Sequence, residues 1–170
     1  MSSERARSTV GNRRLVTIIV VAAAIVFAAW GYSTVRDKAS TPKDLSATTT
    51  GGAAFTLAAE RGKPVVINFF GSWCGPCNME APDLSAFAHA HADVVFVGIA
   101  DDQPADADAF MSKYALGYPV IADPGGAILG SWGVRGVPTT VFLDGGGVEK
   151  ARLVGASTKD QFQAALQKAL

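Results

Sequence analysis

The chain of 170 residues has only two cysteines and two histidines, and its charges cancel to a net charge of zero. A protein held together by structural disulfides would need more cysteines at wider spacing, so this pair indicates reactivity or metal binding. No cluster of lysine and arginine lies on a predicted folded element, which argues against a nucleic-acid partner. The sequence has no internal repeat, and its 49% of hydrophobic residues suffices for the core of one domain.

The N-terminal 32 residues lack the pattern of a globular domain. Residues 1–14 are polar, with a basic flank made of Arg5, Arg7, Arg13 and Arg14. Residues 15–32 are apolar apart from Thr17, and ~18 apolar residues are enough for one transmembrane helix. We therefore predict a cytoplasmic tail over residues 1–14 and a transmembrane signal-anchor over residues 15–32. The positive-inside rule then predicts a single-pass protein of the cell membrane whose catalytic part is extracytoplasmic.

A cleaved signal peptide is the main alternative to the retained anchor, with a small-residue site around Ala28–Ala29. The apolar stretch is long for a signal peptide, whose hydrophobic region has ~7–15 residues, and this favours the anchor. Arg13–Arg14 also fits a twin-arginine export signal, although only loosely. Residues 33–52 are rich in serine, threonine, alanine and glycine, so we predict a flexible tether there and a folded domain over residues 53–170.

Apolar runs and turn residues predict the elements of the folded domain. Residues 64–70 (PVVINFF) and 94–100 (VVFVGIA) are typical of buried central strands, because both faces of each run are apolar. Helices are predicted after the two cysteines, over residues 105–116, and at the end of the chain with Ser157 as the N-cap. A hairpin is predicted late in the chain, around the turn DGGG. The order β-α-β-α-β-β-α predicts an α/β fold with a mixed central sheet flanked by helices.

Cys74 and Cys77 lie where a predicted buried strand gives way to a helix. The first cysteine of such a motif lies among the unpaired N–H groups at the start of the helix, which lowers its pKa from ~8.5 toward ~7 or below. Cys77 lies on the same side of the helix and can close a small disulfide. This arrangement predicts thiol–disulfide exchange, in which Cys74 attacks a substrate disulfide and Cys77 resolves the mixed disulfide.

The segment WCGPC (residues 73–77) resembles the thioredoxin active site, and Val137–Pro138–Thr139 resembles the cis-proline loop that faces the cysteines in that fold. The wider segment VVINFFGSWCGPCNMEAPDL is similar to the extracytoplasmic TlpA, ResA and CcmG (DsbE) family of thiol-disulfide oxidoreductases. The resemblance covers nearly all of residues 53–170. It implies a thioredoxin-like fold, dithiol–disulfide exchange with protein substrates, and no cofactor.

The resemblance also implies roles for residues around the cysteines. Pro138 matches the cis-proline, which in the family shapes the substrate groove and keeps metals from the cysteine pair. Glu80 matches an acidic position implicated in tuning the cysteines, and a solvated helix-surface glutamate is the alternative. Asn68 lies where cytoplasmic thioredoxins have a buried aspartate that moves protons, which leaves Glu80 or water for that task. Trp73 resembles the tryptophan beside the disulfide, although core packing alone would also explain it.

The direction of electron flow stays open in the sequence. Gly75 and Pro76 between the cysteines resemble reducing thioredoxins, whereas Val137 before the cis-proline is also found in the oxidase DsbA. By resemblance, the leading function is to reduce disulfides in exported proteins such as apocytochrome c, with electrons from a membrane thiol carrier of the CcdA or DsbD kind. An oxidase that forms disulfides in exported proteins is the alternative.

Three other classes of protein fit the sequence less well. A zinc site with His89 and His91 fails on spacing, because a single residue separates these histidines where a zinc finger has ~3–5. A copper chaperone of the Sco kind would carry Cys-x-x-x-Cys and a histidine beyond His91. A peroxiredoxin would have its cysteine in a Pro-x-x-x-Thr-x-x-Cys setting, which is absent. We therefore predict no metal site.

Overall fold

The computed structural model describes residues 43–170. Its first two strands, β1 (Ser46–Thr48) and β2 (Ala54–Thr56), pair with each other in a small antiparallel sheet. The elements that follow, in chain order, are β3 (Val65–Phe70), α1 (Gly75–His89), β4 (Val95–Ala100), α2 (Pro104–Lys113), β5 (Val120–Ala122), α3 (Ala127–Ser131), β6 (Thr139–Leu143), β7 (Glu149–Val154) and α4 (Lys159–Leu166). Among these described residues, no helix is both long and apolar enough to cross a membrane.

Strands β3 to β7 form one mixed sheet in the order β5-β4-β3-β6-β7. Strand β3 pairs in parallel with β4 and antiparallel with β6, while β5 and β7 extend the sheet on the two sides. Strand β3 therefore lies at the centre, and all six of its residues are buried. A continuous apolar run is what a strand needs when both faces of its sheet are covered. The mixed α/β sheet predicted from the sequence is confirmed.

Alternate side chains of β3 point into two separate apolar layers. Val66 and Phe70 belong to the layer that contains the buried side chains of α1 and α4. Ile67 and Phe69 belong to the opposite layer, which also contains Trp132. Full burial of each such side chain contributes about 1.5–3 kcal/mol relative to its exposure to water. The loop that leads to Cys74 thus leaves the sheet from its central, fully buried strand.

The folded part begins before the boundary predicted at residue 53. Leu45 is buried, the N–H of Thr49 donates to the carbonyl of Ala53 at 2.8 Å, and β1 pairs with β2. The predicted tether is therefore wrong for residues 43–52. The buried Leu45 and the pairing with β2 hold β1, which is too short to show a hydrophobic pattern of its own. The predicted tail (1–14), signal-anchor (15–32) and remaining tether lie outside the described residues.

Helix α4 is capped by Thr158 and not, as predicted, by Ser157. The Oγ1 of Thr158 accepts the N–H of Gln161 at 3.4 Å, and the side chain of Gln161 accepts the N–H of Thr158 at 2.8 Å. This reciprocal pair is a capping box. The N–H of Ser157 donates instead to a side chain of α1, which explains why Ser157 stays outside the helix.

Candidate active site

Cys74 caps helix α1 at its N-terminus, directly after the loop that follows β3. Its Sγ lies 3.2 Å from the backbone N–H of Cys77, and Cys74 and Cys77 form a disulfide with their Cα atoms 5.2 Å apart. Gly75 and Pro76 between them are exposed, and a proline in the first turn loses no intrahelical hydrogen bond. After reduction, N–H groups directed at a sulfur favour its thiolate, so the start of this helix activates Cys74.

The loop before β6 faces Cys74. The carbonyl oxygen of Val137 lies 3.5 Å from the Sγ of Cys74, and the peptide bond between Val137 and Pro138 is cis, as the sequence predicted. The carbonyl of Pro138 accepts the N–H of Gly155 at 2.9 Å, which ties this loop to the chain after β7. A substrate that reaches Cys74 therefore also meets the backbone of Val137.

Trp73 is an exposed neighbour of the disulfide, with 66% of its surface accessible to solvent. Its indole Nε1 donates to the carbonyl of Asp101 at 3.1 Å, so a hydrogen bond ties the ring to the loop after β4. The core-packing explanation for Trp73 is wrong, whereas Trp132 does lie in the core, with its ring 5.8 Å from that of Phe69.

Two residues that the sequence analysis missed fix this loop. Asp102 is almost fully buried and accepts both the backbone N–H and the hydroxyl of Ser72, at 2.6 and 2.9 Å. Asn78 donates to the carbonyls of Ser72 and Cys74, while its own oxygen accepts the hydroxyl of Tyr114 at 2.7 Å. The position of Asp102, two residues after the end of a buried parallel strand, was an available signal, because functional side chains collect at that edge of a sheet.

Glu80 lies on the buried side of α1, one turn after Cys77, and only 3% of its surface is exposed. Its Oε1 accepts the side-chain N–H of Asn68 at 3.0 Å, and its Oε2 accepts the backbone N–H of Ser157 at 3.0 Å. Burial raises the pKa of Glu80 to about 7, and the two hydrogen bonds, which favour the carboxylate, offset only part of that effect. The solvated-glutamate alternative is therefore wrong.

Asn68 occupies the centre of the sheet beneath α1. Besides Glu80, its amide donates to the Oγ1 of Thr140 at 3.0 Å. Tyr118 also faces this region: its hydroxyl is buried without a partner among the described residues, and burial together with the Glu80 carboxylate raises its pKa above the ordinary range. Thr140, Ser157 and Tyr118 carry no motif, so nothing in the sequence indicated that they lie around the pair formed by Glu80 and Asn68.

The geometry combines a disulfide at a helix N-terminus, a cis-proline loop against it and a buried carboxyl one turn further along the helix. This combination has the parts for dithiol–disulfide exchange: a sulfur stabilised as thiolate, a second sulfur that closes the disulfide, and a group able to take a proton near neutral pH. Among residues 43–170, no cluster of three or more cysteine, histidine, aspartate or glutamate side chains is placed to hold a metal ion. Fold and site together define a thiol-disulfide oxidoreductase of the thioredoxin type.

Comparisons with known proteins agree with this class. The chain belongs to the AhpC/TSA family, whose model matches residues 35–151. It is 28% identical over 162 residues to the thiol-disulfide oxidoreductase ResA of Bacillus anthracis, covering 91% of this chain and 94% of that protein. It is 39% identical over 127 residues to the soluble secreted antigen MPT53 of Mycobacterium tuberculosis, covering 74% and 73% of the two chains.

A solved structure supports the same class of protein. The crystal structure of a secreted Mycobacterium tuberculosis disulfide oxidoreductase homologous to E. coli DsbE matches with a TM-score of 0.66 and 35% sequence identity, covering 72% of this chain and 94% of that one. The predicted membership of the TlpA, ResA and CcmG family and the predicted enzyme class are confirmed.

Proposed function

We propose that this chain is a membrane-anchored, extracytoplasmic reductase that passes electrons from the Cys74–Cys77 dithiol to disulfides in exported proteins. The family resemblance suggests apocytochrome c as the substrate and a membrane thiol carrier of the CcdA or DsbD kind as the electron donor. The observation that carries the direction of the reaction is the burial of Glu80 one turn from Cys77.

A carboxylate in this position makes the dithiol a better electron donor. Residues three apart on a helix have their Cβ atoms about 5–6 Å apart, so ionised Glu80 lies close to the sulfur of Cys77. A nearby negative charge disfavours a thiolate and thereby disfavours the reduced pair at and above neutral pH. Destabilising the reduced form lowers the reduction potential, which is the property of a reductase.

The site residues suggest how one cycle proceeds. The Cys74 thiolate attacks one sulfur of the target disulfide, and the other target sulfur leaves as a thiolate that takes up a proton. Glu80 accepts the proton of the Cys77 thiol, and the resulting Cys77 thiolate attacks the Sγ of Cys74. The target sulfur that was bound to Cys74 leaves as a thiolate and takes up a proton, so two electrons pass to the target and the Cys74–Cys77 disulfide forms.

The location of the reaction rests on the N-terminal sequence and on the relatives. Residues 15–32 have the length and composition of a membrane anchor, and the arginines before them favour a cytoplasmic N-terminus. The Mycobacterium tuberculosis proteins to which this chain is similar are described as secreted. Both observations support an extracytoplasmic catalytic domain.

An oxidase that forms disulfides in exported proteins is the second candidate. It is favoured by the N–H of Cys77, which lies 3.2 Å from the Sγ of Cys74 and would stabilise a thiolate there. A stabilised thiolate favours the reduced pair and so makes the disulfide a stronger electron acceptor. Val137, before the cis-proline, points in the same direction by resemblance to DsbA.

The reduction potential of the full chain separates the two candidates. The chain is equilibrated in thiol/disulfide buffers, and its free thiols are counted by alkylation and mass spectrometry. A potential near ~−270 mV, as for thioredoxin, would support the reductase, whereas one near ~−120 mV, as for DsbA, would make the chain an oxidase. Glu80→Gln serves as the matched variant: removal of the carboxylate is expected to raise the potential.

A further inference from the structure

A polar pair crosses the centre of the sheet below the redox site. Asn68 in β3 lies opposite Thr140 in β6, and its other neighbour across the sheet is Gly98 in β4. The side chain of Asn68 lies on the same face as those of Val66 and Phe70, the face that α1 covers. Asn68 and Thr140 are 3% and 1% exposed, and polar groups at that depth require hydrogen-bond partners.

Both hydrogens of the Asn68 amide have partners. The Nδ2 atom donates to Oε1 of Glu80 and to Oγ1 of Thr140, each at 3.0 Å. The amide cannot rotate without losing at least one of these bonds. Thr140 therefore fixes the direction in which Asn68 presents its N–H to Glu80.

The other oxygen of Glu80 is held by the connector of residues 155–157, between β7 and α4. Ser157 donates its N–H to Oε2 of Glu80, and Gly155 donates its N–H to the carbonyl of Pro138. The carboxyl thus has one donor on each oxygen, and one of these donors belongs to a segment that also holds the cis-proline loop.

We propose that Asn68, held in place by Thr140, is a positioning residue for the redox reaction: its amide holds the Glu80 carboxyl in the orientation in which it exchanges a proton with Cys77. The inference rests on the function proposed above and deepens it, since that function requires something to hold Glu80. In this step the S–H bond of Cys77 breaks, its electron pair stays on the sulfur, and the proton forms an O–H bond with Glu80. Asn68 acts through Glu80 and not on the sulfur.

The charge state of Glu80 depends on opposing effects. Burial disfavours the carboxylate, whereas the N–H donors from Asn68 and Ser157 favour it, and the resulting pKa is about 7. The titratable groups around it are Cys77 on the same helix and Tyr118, whose buried hydroxyl comes from the segment before β5. Loss of the Asn68 N–H removes a group that favours the carboxylate, so the titration of Glu80 moves to higher pH.

Carbon-13 NMR of the glutamate carboxyls in the oxidised full chain measures this titration directly. The side-chain amide resonance of Asn68 reports the same event from the donor, and in the unaltered protein both are expected to titrate with one midpoint at about pH 7. Thr140→Val and Thr140→Ser form a matched pair, because valine retains the buried volume without the hydroxyl and serine retains the hydroxyl.

We expect Thr140→Val and Asn68→Ala to raise the Glu80 midpoint by about one pH unit, as expected for a weakened hydrogen bond to a charged group. The pH profile of disulfide exchange should move by the same amount, and Thr140→Ser should return both to the unaltered values. A purely structural role for Asn68 would lower stability, or move the Glu80 midpoint alone, without moving the pH profile of disulfide exchange, and that result would overturn the inference.

If the variants do not fold, measurements on the unaltered protein test the inference. An Asn68 amide resonance and a pH profile of disulfide exchange that both follow the Glu80 titration support the inference, and an amide resonance or an exchange profile that ignores that titration overturns it. Exchange with a protein disulfide is measured in the same preparations after reduction. A chain without exchange activity would refute the proposed function, whereas the midpoints of Glu80 and Asn68 test the positioning alone.

Discussion

The backbone N–H of Cys77 lies 3.2 Å from the Sγ of Cys74, so the residue that closes the disulfide also supplies a donor to the attacking sulfur. The N–H belongs to the backbone and remains when the side chain of Cys77 is changed. Activation of Cys74 and resolution of the mixed disulfide can therefore be separated by substitution.

Cys77→Ser is expected to accumulate mixed disulfides between Cys74 and its protein substrates. The activated thiolate remains, but no second sulfur is present to release the substrate. Non-reducing electrophoresis followed by mass spectrometry identifies the trapped proteins, and Cys74→Ser is the control that should trap none. Equal trapping by the two variants would contradict the assignment of Cys74 as the attacking residue.

Gly71→Ala is expected to displace the indole of Trp73. A Cβ at residue 71 would lie 2.7 Å from two atoms of the ring, closer than packed atoms approach, so the ring must leave the carbonyl of Asp101. The indole N–H resonance of Trp73 measures the change. Gly75→Ala is a nearby control, because a Cβ there has no neighbour within 4 Å, and that variant should leave the Trp73 resonance in place.

The sequence predicted the parts of this site that lie in local motifs. The buried strand before the cysteines and the helix after them follow from short patterns of residues, the family resemblance implied the cis-proline at Pro138, and the structure has all three. The burial of Glu80 could also have been predicted from the sequence. Cys77, Ala81 and Leu84 form the buried stripe of α1, and Glu80 lies on that same side of the helix.

The remaining parts depend on contacts between distant segments. Asn68 reaches Thr140 across the sheet, and Ser157 reaches Glu80 from the end of β7, pairings that no spacing in the sequence reveals. Strand β1 was missed for a similar reason: it has only three residues, Ser46–Thr48, and it is held by pairing with β2 and not by an alternating pattern of its own.

Thr158→Ala is expected to lower the free energy of unfolding by about 1 kcal/mol, the usual effect of removing an N-cap side chain. The capping box with Gln161 is lost, and the first turn of α4 keeps an unpaired N–H. Ser157→Ala is the matched variant: the backbone N–H that holds Glu80 remains, and only the 3.2 Å hydrogen bond from the Ser157 hydroxyl to the carbonyl of Gly155 is lost. We expect it to cost about 0.5 kcal/mol, less than the change at Thr158. Urea unfolding measures both, and a larger effect at Ser157 than at Thr158 would contradict the observed cap.

The buried carboxyl of Glu80 is expected to make the stability of the protein fall as the pH rises from about 4.5 to about 7. Its pKa is raised from 4.5 to about 7 in the folded protein, chiefly by burial, and returns to its ordinary value on unfolding. Between these values the folded protein holds a proton that the unfolded chain has lost, so the free energy of unfolding decreases by up to about 3 kcal/mol across this range. Urea unfolding of the oxidised chain at a series of pH values measures the decrease. The glutamine in Glu80→Gln cannot titrate, so the stability of this variant should depend less on pH. Its amide also leaves one of the two donors to Glu80 unsatisfied, so the variant should be less stable than the native chain at low pH. A native curve as flat as that of Glu80→Gln would contradict a carboxyl that titrates near neutral pH.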